Sequence, residues 1–316
     1  MKLIFILISF CSLNILQAQP DPINKIADEH AAKLGALTGI NVANIADTLT
    51  RSLSDKQAKA RAIYYWITHN IVLDLKATKG LDNRFIDPVI VVQNRKATPL
   101  GYATLFQEMC SMANIRCLTV DGFVRNSYED INNPSDDINH SWNVVQLGQS
   151  PTEWYYVDAA KGSGSADKQM KVFTPSFISE YFFADKQLFN LDHFADNTAW
   201  QLSGGPKSKK EFYALPVISS AAYSLGLGNI KPATGFNKTK LNKPVSFSFN
   251  VTSETEITTV SLVMGDERRP SKPEAMNFAG GQTISFTYQF KKDDTFPVKV
   301  LVNDKVVLEY MFEVSE

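Results

Sequence analysis

From Cys117 onward the apolar residues of this chain stop recurring every third or fourth position and begin to alternate, and that change of period restricts the fold more than any other feature. Before it, Ile23, Ala27, Ala31 and Leu34 recur at helical spacing behind Asp21-Pro22, a cap followed by proline at the first helical position. Ser54-Asp55-Lys56-Gln57 reads as a capping box, and Ala60, Ile63, Tyr64, Ile67 and Ile71 form the apolar face of a helix running to about Val72. Gly80, Asp82-Asn83 and Asp87-Pro88 interrupt the pattern, so residues 74–92 read as a loop. Another helix starts near Thr98-Pro99 and carries Tyr102, Leu105, Phe106 and Met109. Then Leu118, Val120 and Gly122 alternate with Thr119, Asp121 and Phe123, as a strand with two differently solvated faces does.

After an Asn- and Asp-rich loop, 126–139, residues 140–147 and 153–158 read as two strands around Gly148-Gln149-Ser150-Pro151. A hairpin centred on Gln149 opposes Val144 to Trp154, Trp142 to Tyr156 and His140 to Asp158, so the imidazole and the carboxylate meet on one face. Further on, Val245, Phe247, Phe249 and Val251, and then Ile284, Phe286, Tyr288 and Phe290, alternate with polar residues. Val298–Val302 and Val306–Phe312 flank the turn pair Asn303-Asp304. Short strands without a helix signal imply an immunoglobulin-like β-sandwich. The expected organisation is α+β: helices on an antiparallel sheet over 19–220, and a sandwich over 221–316. With 44% hydrophobic and 21% charged residues, the chain has material for both cores.

Met1-Lys2, an apolar run from Leu3 to Leu16, and Leu16-Gln17-Ala18 have the three parts of a secretory signal peptide, so 1–18 is expected to be removed and the protein to be periplasmic or extracellular. The run is shorter than a bilayer span, Phe10 before Cys11 disfavours lipidation, and no later segment reads as transmembrane. Losing Lys2 leaves 31 basic against 33 acidic side chains with no long run of either sign, which excludes a nucleic-acid footprint. Cys110 and Cys117 are either bridged or buried as small apolar residues; both readings stay open. His30, His69 and His193 have no metal-ligand spacing and read as surface or interface residues, and Asp136-Asp137 as a solvated loop, so no metal or cofactor is expected.

A reactive thiol sits best at a helix N-terminus beside a histidine that a third group orients. His140 and Asp158 supply the last two members. Ser54-Asp55-Lys56 through Ile67, Asn94-Arg95-Lys96 through Leu105, His140-Ser141-Trp142-Asn143, Trp154 through Asp158, Tyr181-Phe182-Phe183 and Trp200-Gln201-Leu202 form an ordered set of motifs. On these, across residues 50–216, the chain resembles transglutaminase-like proteins of the bacterial and kyphoscoliosis peptidase type. The resemblance implies a papain-like fold and acyl transfer or peptide hydrolysis through a thioester. In the family's cysteine position this chain has Pro99, which fits a first helical turn but carries no nucleophile. Thr98 reads as the N-cap, and Cys110, 11 residues on, lies about 16 Å along the helix. The expectation is a non-catalytic module of the cell envelope that binds a peptide or protein in a groove lined by Tyr102, Trp142 and Tyr156. One alternative is a peptidase or acyltransferase using His140 and Asp158 with Thr98 or a displaced nucleophile; another is a purely structural domain whose groove is closed, which solvent accessibility around His140 would tell from a binder.

Overall fold

The computed structural model describes residues 21–80, 83–150 and 153–316; the expected leader, 1–18, lies outside them. Asp21 accepts from Ile23 N and opens α1, Pro22–Leu34. Asn41 caps α2, Val42–Thr50, for which the sequence gives no clear signal. α3 is Lys56–Asn70, and its cap is Asp55, which accepts from Ala58 N, in place of the expected Ser54 box. Arg61 joins α3 to α1 through two bonds to Asp28, at 2.7 and 2.8 Å. Pairing across helices exposes the α3 face to partners on more than one side, so Tyr64, Trp66 and Ile67 are all buried.

The expected loop over 74–92 is a correction. It holds α4, Leu75–Gly80, a single 3-10 turn at Asn83–Ile86, and α5, Pro88–Asn94. Asp87 accepts from Val89 N with Pro88 at the first helical position, so Asp87-Pro88 starts a helix just as Asp21-Pro22 does. Strands β1, Val72–Leu73, and β2, Lys96–Ala97, pair in parallel and bring the chain to α6, Pro99–Met112. A Cβ on Gly101 would stand 1.9 Å from the Phe85 carbonyl oxygen, so glycine lets α6 lie against the 83–86 turn.

A short turn reverses the chain from α6 into β3, Arg116–Val124, which pairs antiparallel with β4, His140–Gln146. β4 therefore runs in the direction of α6, and the start of each lies at the same end of the layer. Asn143 Nδ2 donates to Ala103 O at 3.0 Å, and Thr119 N donates to Gln107 Oε1 at 2.6 Å, which pins the helix to the sheet. β5, Trp154–Val157, leads into α7, Ala159–Gly162; a small ribbon of β6, Gly164–Ala166, and β7, Phe173–Pro175, follows. β8, Phe182–Ala184, α8, Lys186–Asp192, and β9, His193–Ala195, complete an antiparallel sheet of order β8-β5-β4-β3-β9.

The β4–β5 register differs from expectation by two residues: Val144 faces Tyr156, and Gln146 faces Trp154. Beside the connection, the Glu153 carboxylate accepts from Ser150 N at 2.7 Å and its carbonyl accepts from Leu147 N. An even shift keeps every side chain on its face.

α9, Lys209–Tyr213, β10, Val217–Ile218, and α10, Ser220–Leu225, follow, with the expected boundary at 220/221 falling at the start of α10. The C-terminal region is a sandwich of two sheets. One holds β11, Gly228–Lys231, β13, Pro244–Asn250, and β16, Thr283–Gln289; the other holds β12, Phe236–Lys240, β14, Val260–Met264, β15, Glu274–Ala275, β17, Asp294–Val302, and β18, Lys305–Ser315. Phe247 and Phe286 stack at 5.0 Å across β13 and β16, and Tyr310 and Phe312 meet Phe247 from the opposite sheet. β10 joins the β18 edge at Val217–Glu309, so the apolar core runs on from the first region into the second. Among the described residues, no helix is long and apolar enough to cross a membrane.

Candidate functional site

α6 begins at Pro99 with Thr98 as its cap, the Thr98 hydroxyl accepting from Gly101 N at 3.2 Å. Thr98 is buried and Pro99 half-buried. The hydroxyl is engaged by the helix start. Four residues on, Ala103 receives the Asn143 bond, about 6 Å along the axis from Pro99. His140, three residues before Asn143 at the start of β4, is set at the same end of the layer as Pro99.

His140 Nε2 donates to Asp158 Oδ2 at 2.6 Å. Asp158 follows β5 and caps α7, its Oδ1 accepting from Lys161 N at 2.9 Å. Burial by itself would raise this carboxyl, but His140 and then His193 outweigh it and hold Asp158 well below the ordinary carboxylate range. With Nε2 committed to Asp158, Nδ1 is the His140 nitrogen left for another partner, and it makes no hydrogen bond to another described residue. The residues thus supply an oriented imidazole with no thiol: Cys110 and Cys117, the other candidate sulfurs, are free and buried. Burial and the neighbouring Cys117 push the Cys110 thiol well up.

His193 departs furthest from expectation. It is fully buried, where a surface or interface residue was expected, and its Nε2 donates to the same Asp158 Oδ2 at 3.0 Å. The β9 strand carries it beside Val124, and its ring stacks on Phe189 at 3.8 Å. Nδ1 lies 3.5 Å from Asp192 Oδ2 without a hydrogen bond. Asp192 in turn is paired with Lys161 Nζ at 3.1 Å and accepts from Tyr223 OH at 3.2 Å. Burial would raise Asp192, and Lys161 and His193 together overcome it and lower it; burial lowers His193. One signal in the sequence could have found this histidine: Asp192-His193 interrupts the apolar run Leu188-Phe189 and Phe194, and buried polar groups need partners. His30 is half-buried and lies 3.1 Å from the Leu49 carbonyl, while His69 stacks on Tyr65, so neither joins the site.

His140, Asp158 and His193 bring three potential metal-ligand atoms within 4.8 Å of one another. Both Nε2–H groups point at one carboxylate oxygen, and a divalent ion about 2.1 Å from each nitrogen would have to displace that oxygen while Lys161 N holds the other. In this arrangement the three groups are spent on one another.

Tyr102, Trp142 and Tyr156, expected to line a groove, are instead core residues exposed by 2% or less. Tyr102 OH donates to Ile71 O at 2.7 Å, and Tyr156 OH donates between Asn190 and the Trp200 carbonyl. Burial pushes the Tyr156 hydroxyl up to about 12. Trp142 and Tyr156 do not stack on each other; Phe189 lies between them, at 5.8 Å from Trp142 and 4.1 Å from Tyr156. Aromatic rings with satisfied hydroxyls pack a sheet as readily as they line a groove, and residue type alone does not separate the two. Gly122 gives Trp142 its room, since a Cβ there would meet the indole at 2.6 Å.

Residues 43–159 match the transglutaminase-like superfamily core. The chain is 31% identical over 238 residues to kyphoscoliosis peptidase of Mus musculus, covering 75% of this chain and 34% of that one, and 32% identical over 213 residues to the Homo sapiens protein, covering 67% and 32%. It thus spans about a third of the length of these curated relatives. The crystal structure of a TGase aligns over 47% of this chain and 34% of that chain at 15% identity and a TM-score of 0.28, a likeness too slight to carry an argument.

Proposed function

Since the chain carries a transglutaminase-like domain homologous to that of the kyphoscoliosis peptidases, we propose that it is a non-catalytic member of that group, an exported module that binds a peptide or protein at the cell envelope. One observation carries the reading: the helix whose start stands at the His140 end of the layer opens with Thr98-Pro99, a capped turn without a sulfur. Acyl transfer through a thioester requires an attacking thiolate there, and the imidazole alone cannot supply the covalent intermediate. What the site retains is recognition chemistry. His140, held by Asp158 and only 8% exposed, would meet a ligand N–H, such as a peptide amide, through Nδ1.

A second reading, a residual peptidase or acyltransferase, is favoured by the 2.6 Å contact between His140 and Asp158, which is already the geometry of an oriented base. The two readings part in one experiment. The full chain without its first 18 residues is incubated with peptide acyl donors and an amine acceptor, beside its His140→Ala variant. No product above background, with peptide binding weakened by the substitution, is the expected result. Turnover that disappears on His140→Ala would overturn the proposal.

A further inference from the structure

We propose that His193 is a positioning residue of this site: by sharing the Asp158 carboxylate oxygen it restrains how strongly that carboxylate supports a positive charge on His140. The inference rests on the reading that His140 stands opposite the start of α6, and it adds a residue that neither the family resemblance nor the sequence pattern assigns.

The argument is one of hydrogen-bond capacity. Asp158 Oδ1 is taken by Lys161 N, so Oδ2 alone serves both imidazoles, at 2.6 Å from His140 and 3.0 Å from His193. A carboxylate oxygen that already accepts one N–H is a weaker partner for the next, because each donor stabilises the anion and withdraws charge from it. His193 cannot turn away, since Phe189 stacks on one face at 3.8 Å and Trp142 meets the ring edge-on at 5.1 Å. The other ionisable groups around it are Asp192 from α8, paired with Lys161 from α7, His140 from β4, Tyr181 ahead of β8, and Tyr223 from α10, which donates to Asp192; Arg125 after β3 acts on Asp192 from further off. Whether His193 is neutral or charged, the sign is the same. A neutral donor dilutes the pull of Asp158 on His140, and a charged ring adds repulsion between two cations.

The test installs a reporter for the imidazole. Pro99→Cys is made in the full chain without its first 18 residues, and the rate of alkylation by iodoacetamide is followed against pH, with the unsubstituted chain correcting for Cys110 and Cys117. His193→Phe keeps a ring on Phe189 and removes the donor, whereas His193→Gln returns an N–H near the same place. In the Pro99→Cys background, His193→Phe is expected to move the low-pH limb of the profile to lower pH by about one pH unit, so that reaction near pH 6 rises roughly tenfold. His193→Gln is expected to restore most of the original profile. A purely structural role would lower the melting temperature of both variants and leave the limb in place, and that outcome, or a displacement to higher pH, overturns the inference. Should His193→Phe fail to fold, the profile of Pro99→Cys with His193→Gln against Pro99→Cys with His193→Asn decides in its stead, a donor set back by one carbon giving the larger downward displacement. If alkylation of Pro99→Cys is indifferent to His140→Ala, the site reading fails; if it depends on His140 and is indifferent to His193, only this inference fails.

Discussion

The two regions of this chain are packed by different means. In the first, Arg61, Arg125, Asn143, Asp158, Asp192 and His193 are all buried, each at a cost in desolvation that only specific partners offset. After residue 220, Ser261 is the only buried polar side chain among the described residues, and the sandwich is held by stacked rings and aliphatic strands. Apolar packing makes a fold; buried charge held by specific partners makes a geometry, even where single atoms such as His193 Nδ1 and Arg125 Nε stay unpaired. The contrast indicates where the first region has been held to a particular arrangement, and the arrangement centres on Asp158.

Removing the centre gives the largest expected effect. Asp158→Ala leaves two imidazoles facing an apolar gap and α7 without its cap, and it should cost about 3–5 kcal/mol in urea unfolding. A loss under about 1 kcal/mol would mean that the buried cluster is incidental to the fold. The second effect is a slope with pH. His193, Asp158 and Asp192 all have lowered values in the folded chain, so the stability they carry is present above their unfolded values and lost as pH falls. Unfolding monitored at the first region should therefore become easier below about pH 6.5, from His193, and more steeply below about pH 4, from the aspartates. Glu309 in the sandwich has the opposite sign: burial raises it, so its contribution is present at low pH and lost as pH rises. A common pH dependence for probes in both regions would remove the contrast. The smallest effects are single side chains. Thr98→Ala removes the α6 cap and should cost about 1 kcal/mol, whereas Ser261→Ala, in a region that does not depend on polar pairs, should stay within about 0.5 kcal/mol. Equal costs would blur the distinction between the regions.

Helix starts and strand faces are legible in the sequence where local chemistry decides them. Asp21-Pro22 and Thr98-Pro99 cap helices as expected, and the alternation from Cys117 marks β3. Asp87-Pro88 carries the same signal but reads as a breaker, because the helix it starts has only seven residues and no long apolar face. The His140–Asp158 contact follows even from a register wrong by two residues, because an even slip preserves the face. His193 is out of reach for a different reason. It comes to Asp158 through the order of the sheet, with β9 on the far side of β3, and no local pattern encodes that crossing. The burial of Tyr102, Trp142 and Tyr156 is likewise a tertiary outcome, settled by Phe189, Asn190 and Ser163 from elsewhere in the chain.

The central proposal is that Pro99 occupies the position from which an attacking sulfur would meet His140. Its most direct test is acylation by p-nitrophenyl acetate, in which a thiolate takes the acetyl group as a thioester and expels p-nitrophenolate. The account predicts a stoichiometric burst and one acetyl group on the Pro99→Cys chain, neither on the unsubstituted chain, and loss of both when His140→Ala is added. A His140-dependent acetyl adduct on the unsubstituted chain, or a Pro99→Cys thiol that acylates no faster than a free thiol, would contradict it.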